Sequence, residues 1–217
     1  MTALEFTVVD IVPEPYAAAP TLLAELGIRE GTGATVHALA LRCQIRIEPR
    51  RRSYGPDEEA ALTDLFGTRD RWGTTLAPFT WLHASTVIPG FVGTCETTLP
   101  LPCTYDFDVA AARYLNALGQ GAIPLLALFS GTVFTRGTTG FAVEQVPWDR
   151  EARYDLPVRV WHDLIRAHFP DTGYARLTHE TLAALGRFKA ERGLTDLDAA
   201  IATLLAAAGA GTGEEAS

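Results

Sequence analysis

VHALALRCQIRIE, residues 36–48, decides the fold. His37, Leu39, Leu41, Cys43, Ile45 and Ile47 fall on alternate positions, against Ala38, Ala40, Arg42, Gln44 and Arg46. A period of two sends one set of side chains into a core and leaves the other on the opposite face, which is a half-buried β-strand and not a helix. The strand runs into Pro49-Arg50-Arg51-Arg52, the densest positive run in an otherwise acidic chain.

Working outward, residues 5–12 are rich in β-branched side chains, and Leu22, Ala24, Leu26 and Ile28 alternate in the same way. Gly31-Thr32-Gly33 predicts a turn that joins this strand to the next as a hairpin. Residues 79–88 and 91–99 predict a second hairpin about Pro89-Gly90. Residues 123–135, IPLLALFSGTVFT, are apolar on both faces and belong in the middle of a sheet. Residues 140–146 and 152–156 complete the strands. Pro56-Asp57-Glu58-Glu59 opens a short inserted helix that closes at Gly67, and residues 108–118 predict another. After Pro157 the period becomes 3.6. One helix carries Val160, Leu164 and Ile165; a second starts at Thr178; Thr195-x-x-Asp198 opens a third with Leu197, Ile201, Leu204 and Leu205. The expected class is α+β: an antiparallel β-sandwich of immunoglobulin-like type over residues 1–156, with short inserted helices. A C-terminal helical segment over 157–208 packs on that body, and 209–217 form a mobile tail.

With 217 residues and 47% hydrophobic content, the chain can bury a core without staples. Its formal charge of −8 works against attraction to nucleic acid or anionic lipid. No apolar run is long enough for a membrane span, and the start of the chain lacks the pattern of a signal peptide, so the expected compartment is the cytoplasm. Cys43, Cys95 and Cys103 show no metal-ligand or disulfide spacing. The five histidines are scattered. His162 and His168 lie six apart, off one helix face, and His37 sits among core positions. Neither a metal nor a cofactor is expected, and no nucleophile elbow, dinucleotide fingerprint, phosphate loop or paired catalytic carboxylate is present. No catalytic residue is assigned.

The surface candidates are stronger. Arg50, Arg51, Arg52 and Tyr54, with Arg69, Arg71 and Trp72 beyond the small helix, make an arginine and aromatic patch suited to an acidic protein partner. Three adjacent arginines without an evident local acid should cost little stability when removed. Trp148, at the join of strands and helices, is expected to pin the helices to the sandwich.

RIEPRRRSY, LPLPCTYDFDVAAARYLNALGQGAIPLLALFSGTVF and FAVEQVPWDREARYDLPVRVWHDLIRAHFPDTGY together resemble a family of actinobacterial proteins of unknown function. Genes of that family often neighbour those for nickel-iron uptake hydrogenases and their maturation factors. The resemblance covers nearly the whole chain and implies an accessory or assembly role without naming a catalytic residue. A local stretch, YARLTHETLAALGRFKAERGLTDLDAAIATLL, resembles ribbon-helix-helix repressors, which implies groove reading by Tyr174, Arg176 and Thr178. The reading adopted is a non-catalytic interaction or accessory protein. The alternatives are a small-molecule enzyme and a DNA-binding protein.

Overall fold

The computed structural model describes residues 2–104, 109–137, 140–170, 172 and 176–209, with only the backbone of residues 137 and 141. Among these, eight strands form two antiparallel sheets: β1 (Leu4–Pro13), β2 (Thr21–Glu30), β3 (Thr35–Ile47), β4 (Phe79–Val92), β5 (Thr94–Pro102), β6 (Ala122–Gly137), β7 (Gly140–Gln145) and β8 (Glu151–Pro157). One sheet has the order β1-β2-β5. The other has the order β4-β3-β6-β7, with β8 also paired to β6. The antiparallel α+β architecture read from the sequence is therefore the observed one.

The alternation predicted its core well. Leu22, Ala24, Leu26 and Ile28 are buried on one inner face, and Leu39, Leu41, Cys43, Ile45 and Ile47 on the other. Phe6 of β1 stacks on Phe129 of β6 at 4.6 Å, and Tyr154 of β8 donates to Asp10 of β1 at 2.6 Å, so both apolar and polar contacts bridge the sheets. His37 departs from the pattern. The register of β3 against β6 slips between Val36 and Ala38, leaving His37 as the extra residue of a bulge, so Val36 turns inward and His37 outward.

Neither expected hairpin forms. β2 and β3 lie in different sheets, as do β4 and β5. Pro89 and Gly90 fall inside β4, an edge strand, where a missing N–H breaks no interior ladder. A Cβ on Gly90 would stand 2.9 Å from the His37 carbonyl oxygen, so glycine serves close backbone approach there rather than a turn. The turn comes at Gly93, whose φ of +72° suits glycine.

Both crossings meet at one end of the sandwich on the buried carboxylate of Glu30. It accepts from the backbone N–H of Ala3 (3.1 Å), Thr32 (3.0 Å) and Ala34 (2.9 Å) and from the Thr32 hydroxyl (2.7 Å). The Glu30 N–H donates to the Gly93 carbonyl at 2.6 Å. One residue thus ties the start of β1, the β2–β3 crossing and the β4–β5 turn.

At the opposite end lie α1 (Pro56–Phe66), α2 (Trp72–Thr75) and α3 (Ala110–Asn116). α4 (Val158–His168) buries Val158, Trp161, Leu164 and Ile165, and the Trp161 indole donates to Asn116 at 2.8 Å. The chain divides into a unit Met1–Tyr174, which includes α4, and a unit Ala175–Ser217. The second unit contains α5 (His179–Glu191) and α6 (Leu197–Ala207), paired as a helical hairpin. Thr178 caps α5 by accepting from the Thr181 N–H. Asp196, not Thr195, caps α6: its carboxylate accepts from the Ala199 N–H at 2.8 Å, and the Thr195 hydroxyl donates to that same carboxylate. Leu182, Ile201, Leu204 and Leu205 are exposed. Gly209 ends the described chain, so the rest of the expected tail lies outside it.

Burial opposes ionisation of Glu30, but the Thr32 hydroxyl and the three backbone donors outweigh it and hold the carboxyl down from its ordinary 4.5 to about 2. Stability linked to this group is fully present above pH about 4.5 and is lost as pH falls through about 2. Glu30→Gln should destabilise the protein at pH 7 by about 1.5–3 kcal/mol, the worth of hydrogen bonds to a charged group. It should also flatten the acid limb of a urea-midpoint against pH curve between pH 5 and 2. Equal acid limbs for both proteins would refute the role given to Glu30.

Candidate partner-binding surface

β3 ends in a 3-10 turn, Pro49–Arg51, that starts the arginine run. The three arginines have separate fates. Arg50 donates from Nε to the Leu76 carbonyl (2.8 Å) and from Nη2 to the Gly73 carbonyl (2.6 Å), fastening the last turn of α2. Arg52 points the other way and pairs with Glu58, the third residue of α1, at 2.8 and 2.9 Å. It also donates to the carbonyls of Ser53, Gln120 and Ala122. The Glu58 carboxylate accepts in addition from the Gly119 N–H (2.9 Å) and the Gly55 N–H (3.2 Å). Both side chains are about nine-tenths buried, at 10% exposure each. Arg50 and Arg51 are exposed, and Arg51 stands 3.1 Å from Glu48 and 3.9 Å from Asp155.

Of the aromatic residues of the expected patch, Trp72 is core and Tyr54 packs against the core. Trp72 is buried, and its indole donates to the Gly67 carbonyl at 2.8 Å. Tyr54 lies edge-on to Trp72 and to Tyr114, donates to the Pro49 carbonyl at 2.7 Å and shares a 2.8 Å hydrogen bond with the Tyr114 hydroxyl. Burial pushes the phenols of both tyrosines above their ordinary range. Arg69 is exposed, pairs with Glu59 and lies over the Trp72 ring; Arg71 is exposed on the same turn, and no ion pair holds it among the described residues. Of the seven residues expected to meet a partner, Arg50, Arg51, Arg69 and Arg71 are exposed, Arg50 with its guanidinium bonded to the backbone of α2 and of Leu76; Arg52 and Tyr54 are partly buried and Trp72 is buried.

A cleft of about 700 Å³ opens between the 3-10 turn, the start of α1 and the strand ends at Gln120, Ala122 and Asp155. Its charged floor is the Arg52–Glu58 pair, whose polar atoms are already engaged with each other and with backbone. Elsewhere, burial pushes the thiols of Cys43 and Cys103 up to about 12, which keeps them protonated and weakly nucleophilic at neutral pH. Among the described residues no three His, Cys, Asp or Glu side chains are placed to share a metal ion. His83 and Cys95, which a hairpin would have brought together, lie in different sheets. No helix of the described residues is long and apolar enough to cross a membrane.

Two further expectations change. Trp148 is 92% exposed and pins nothing, while Trp161, fully buried and edge-on to Trp81 at 6.1 Å, does that work for α4. The strand of the ribbon-helix-helix resemblance is absent at residues 176–178, and the Thr178 hydroxyl is committed to capping α5. Tyr174 lies outside the described residues.

The profile of a family described as "Family of unknown function (DUF6084)" matches residues 1–213. No curated protein matches. Among solved structures, the chain is similar to the CARDB domain of the PF1109 protein in complex with di-metal ions from Pyrococcus furiosus, at 10% identity and a TM-score of 0.29, covering 72% of this chain and 92% of that one. It is also similar to a β-glucosidase from Kluyveromyces marxianus, at 10% identity and a TM-score of 0.26, covering 71% of this chain and 15% of the enzyme. The fold assignment rests on the strand pairing described above.

Removing one partner of a buried, hydrogen-bonded ion pair leaves an uncompensated charge, so Arg52→Ser should cost about 3–5 kcal/mol in urea unfolding. Arg51→Ser, at the surface, should cost about 0.5 kcal/mol or less. Equal costs would remove the distinction drawn between them.

Proposed function

We propose, for a chain that belongs to the DUF6084 family of unknown function, a non-catalytic accessory role exerted by protein contact. The observation that carries this reading is the condition of the cleft. Its inner acid and base, Glu58 and Arg52, satisfy one another and the surrounding backbone, and its outer pair, Asp155 and Arg51, stand 3.9 Å apart, so the inner groups are not idle to abstract or deliver a proton. An enzyme of small molecules needs convergent groups held ready for substrate, whereas here the convergent groups serve the fold.

The contact surface in this reading is the exposed arginine rim of Arg51, Arg69 and Arg71, and its partner is acidic. The cytoplasm is the compartment. The resemblance to sequences encoded near nickel-iron hydrogenase genes makes the hydrogenase subunits and their maturation proteins the first partners to try.

Arg51→Ser, Arg69→Ser and Arg71→Ser combined should lower Tm by no more than about 6 °C, as expected for three surface changes of about 0.5 kcal/mol each. Binding to purified hydrogenase subunits and maturation proteins, followed by biolayer interferometry, should weaken as salt rises and fall by at least about tenfold in the triple variant. If none of those proteins is held at low salt, the hydrogenase assignment fails. If one is held equally by the triple variant, the rim is neutral surface.

A further inference from the structure

The outer face of the five-stranded sheet carries a group of polar side chains that the fold does not use. Arg42 points outward from β3, the partner of both β4 and β6, between the buried Leu41 and Cys43. In register it stands opposite Ser85 of β4 on one side and Ser130 of β6 on the other. Residues directly opposite in an antiparallel ladder share a face, with Cβ atoms about 4.5–5.5 Å apart. Two hydroxyls therefore flank one guanidinium. His83 lies on the same face one row along, opposite Gln44. All four side chains line an open pocket of about 540 Å³, together with Gln44.

None of Arg42, His83, Ser85 and Ser130 makes a side-chain hydrogen bond or ion pair among the described residues. Gln44, by contrast, donates to Thr80 at 3.0 Å. Unlike Arg42, Arg153 of β8 in the same sheet pairs with Glu48 and Glu151, and Arg51 and Arg52 just beyond β3 pair with Glu48 and Glu58. Two carboxylates of β8 share this face: Glu151, which stands in the His83 row beyond Gln44 and Leu128 and already pairs with Arg153, and Asp155, opposite Pro124 and 3.9 Å from Arg51. β3 and β4 contribute no acid at all, so the central face is locally positive in a chain of net charge −8. Arg46, two outward positions further along β3, adds a second cation without an ion-pair partner among the described residues.

We infer that Arg42, Ser85, Ser130 and His83 form a binding site for one oxyanion, the phosphate or carboxylate group of a ligand. A planar guanidinium presents its N–H groups as a fork that matches two oxygens of such an anion. The two serine hydroxyls, fixed on either side by strand pairing, supply donors to the remaining oxygens, and the imidazole adds a further polar wall. The frame is rigid because it is built on paired strands rather than on a loop. The site lies away from the cleft and the arginine rim and does not depend on them.

The test uses the full chain, titrated separately with inorganic phosphate and with acetate and followed by the backbone and side-chain NMR signals of Arg42, Ser85 and Ser130. Saturable shifts centred on these residues are expected with phosphate. Saturation with acetate as well assigns the shared oxyanion, and saturation with phosphate alone assigns phosphate. Arg42→Gln should weaken binding by at least about tenfold, and Arg42→Lys, which keeps the charge and loses the fork, should recover only part of it. Ser85→Ala with Ser130→Ala should weaken it with Arg42 intact. All of these changes are at the surface, and thermal unfolding checks that each variant is folded. Absence of saturation with either anion in the unaltered protein, or equal affinity in folded Arg42→Gln, overturns the site.

Discussion

The Arg52–Glu58 pair is the constraint on which the lower half of the molecule depends. β3 and β6, the two inner strands of the larger sheet, must be joined at their base to segments that are not strands: the 3-10 turn after β3 and the residues 119–122 that lead into β6. Arg52 bonds the carbonyls of Gln120 and Ala122, and Glu58 bonds the N–H groups of Gly119 and Gly55. Bringing both charges out of water is costly, and their mutual attraction offsets this only when the remaining donors and acceptors are also satisfied. Here backbone groups from two segments, residues 53–55 and 119–122, satisfy them. The pair also fixes the start of α1, and with it the aromatic cluster of Tyr54, Phe66, Trp72, Phe79 and Tyr114.

The opposite end uses the same device with the opposite partner set. Among the described residues no cation pairs with Glu30; backbone N–H groups and one hydroxyl hold its charge. Between the two carboxylates lies an apolar core that is indifferent to which loop joins which strand. Two sheets of alternating strands pack face to face under many connections, and polar knots at the ends select among them, because only one path of the chain satisfies the buried carboxylates. The two surfaces proposed for binding are what these knots leave over: exposed arginines at the base, and a positive sheet face in the middle.

The strands were legible because their signal is local. Every core position from Leu39 to Ile47, the first half of β6, buried on both faces at residues 123–127, and the inserted α1 with its closing Gly67 follow from short-range pattern. The sheet to which a strand belongs is not local. Gly31-Thr32-Gly33 and Gly93 reverse the chain equally well within a sheet or between sheets, and the choice is made by Glu30 and by core packing across the sandwich. His37 was misplaced because a bulge depends on the register of β6, about a hundred residues away. The partners of the arginine run are distant for the same reason. Arg52 finds its acid six residues on and its carbonyls up to seventy residues on, so a run that reads as unrelieved charge is relieved by the fold. Trp161, and not Trp148 as expected, pins a helix to the sandwich, since sequence shows where a tryptophan is and not whether a helix covers it. Arg42 reads only as one solvent-facing residue of an alternating strand; its flanking serines become visible once β4 and β6 are set beside it.

A double-mutant cycle on Arg52 and Glu58, with urea unfolding of the unaltered protein, Arg52→Met, Glu58→Gln and the double variant, tests most directly whether the charged floor of the cleft belongs to the fold. If it does, the coupling free energy should reach about 2–3 kcal/mol, with the double variant less damaged than the sum of the singles predicts. A coupling below about 0.5 kcal/mol, with both single variants as stable as the unaltered protein, would show that these groups are free for another purpose and would contradict the account.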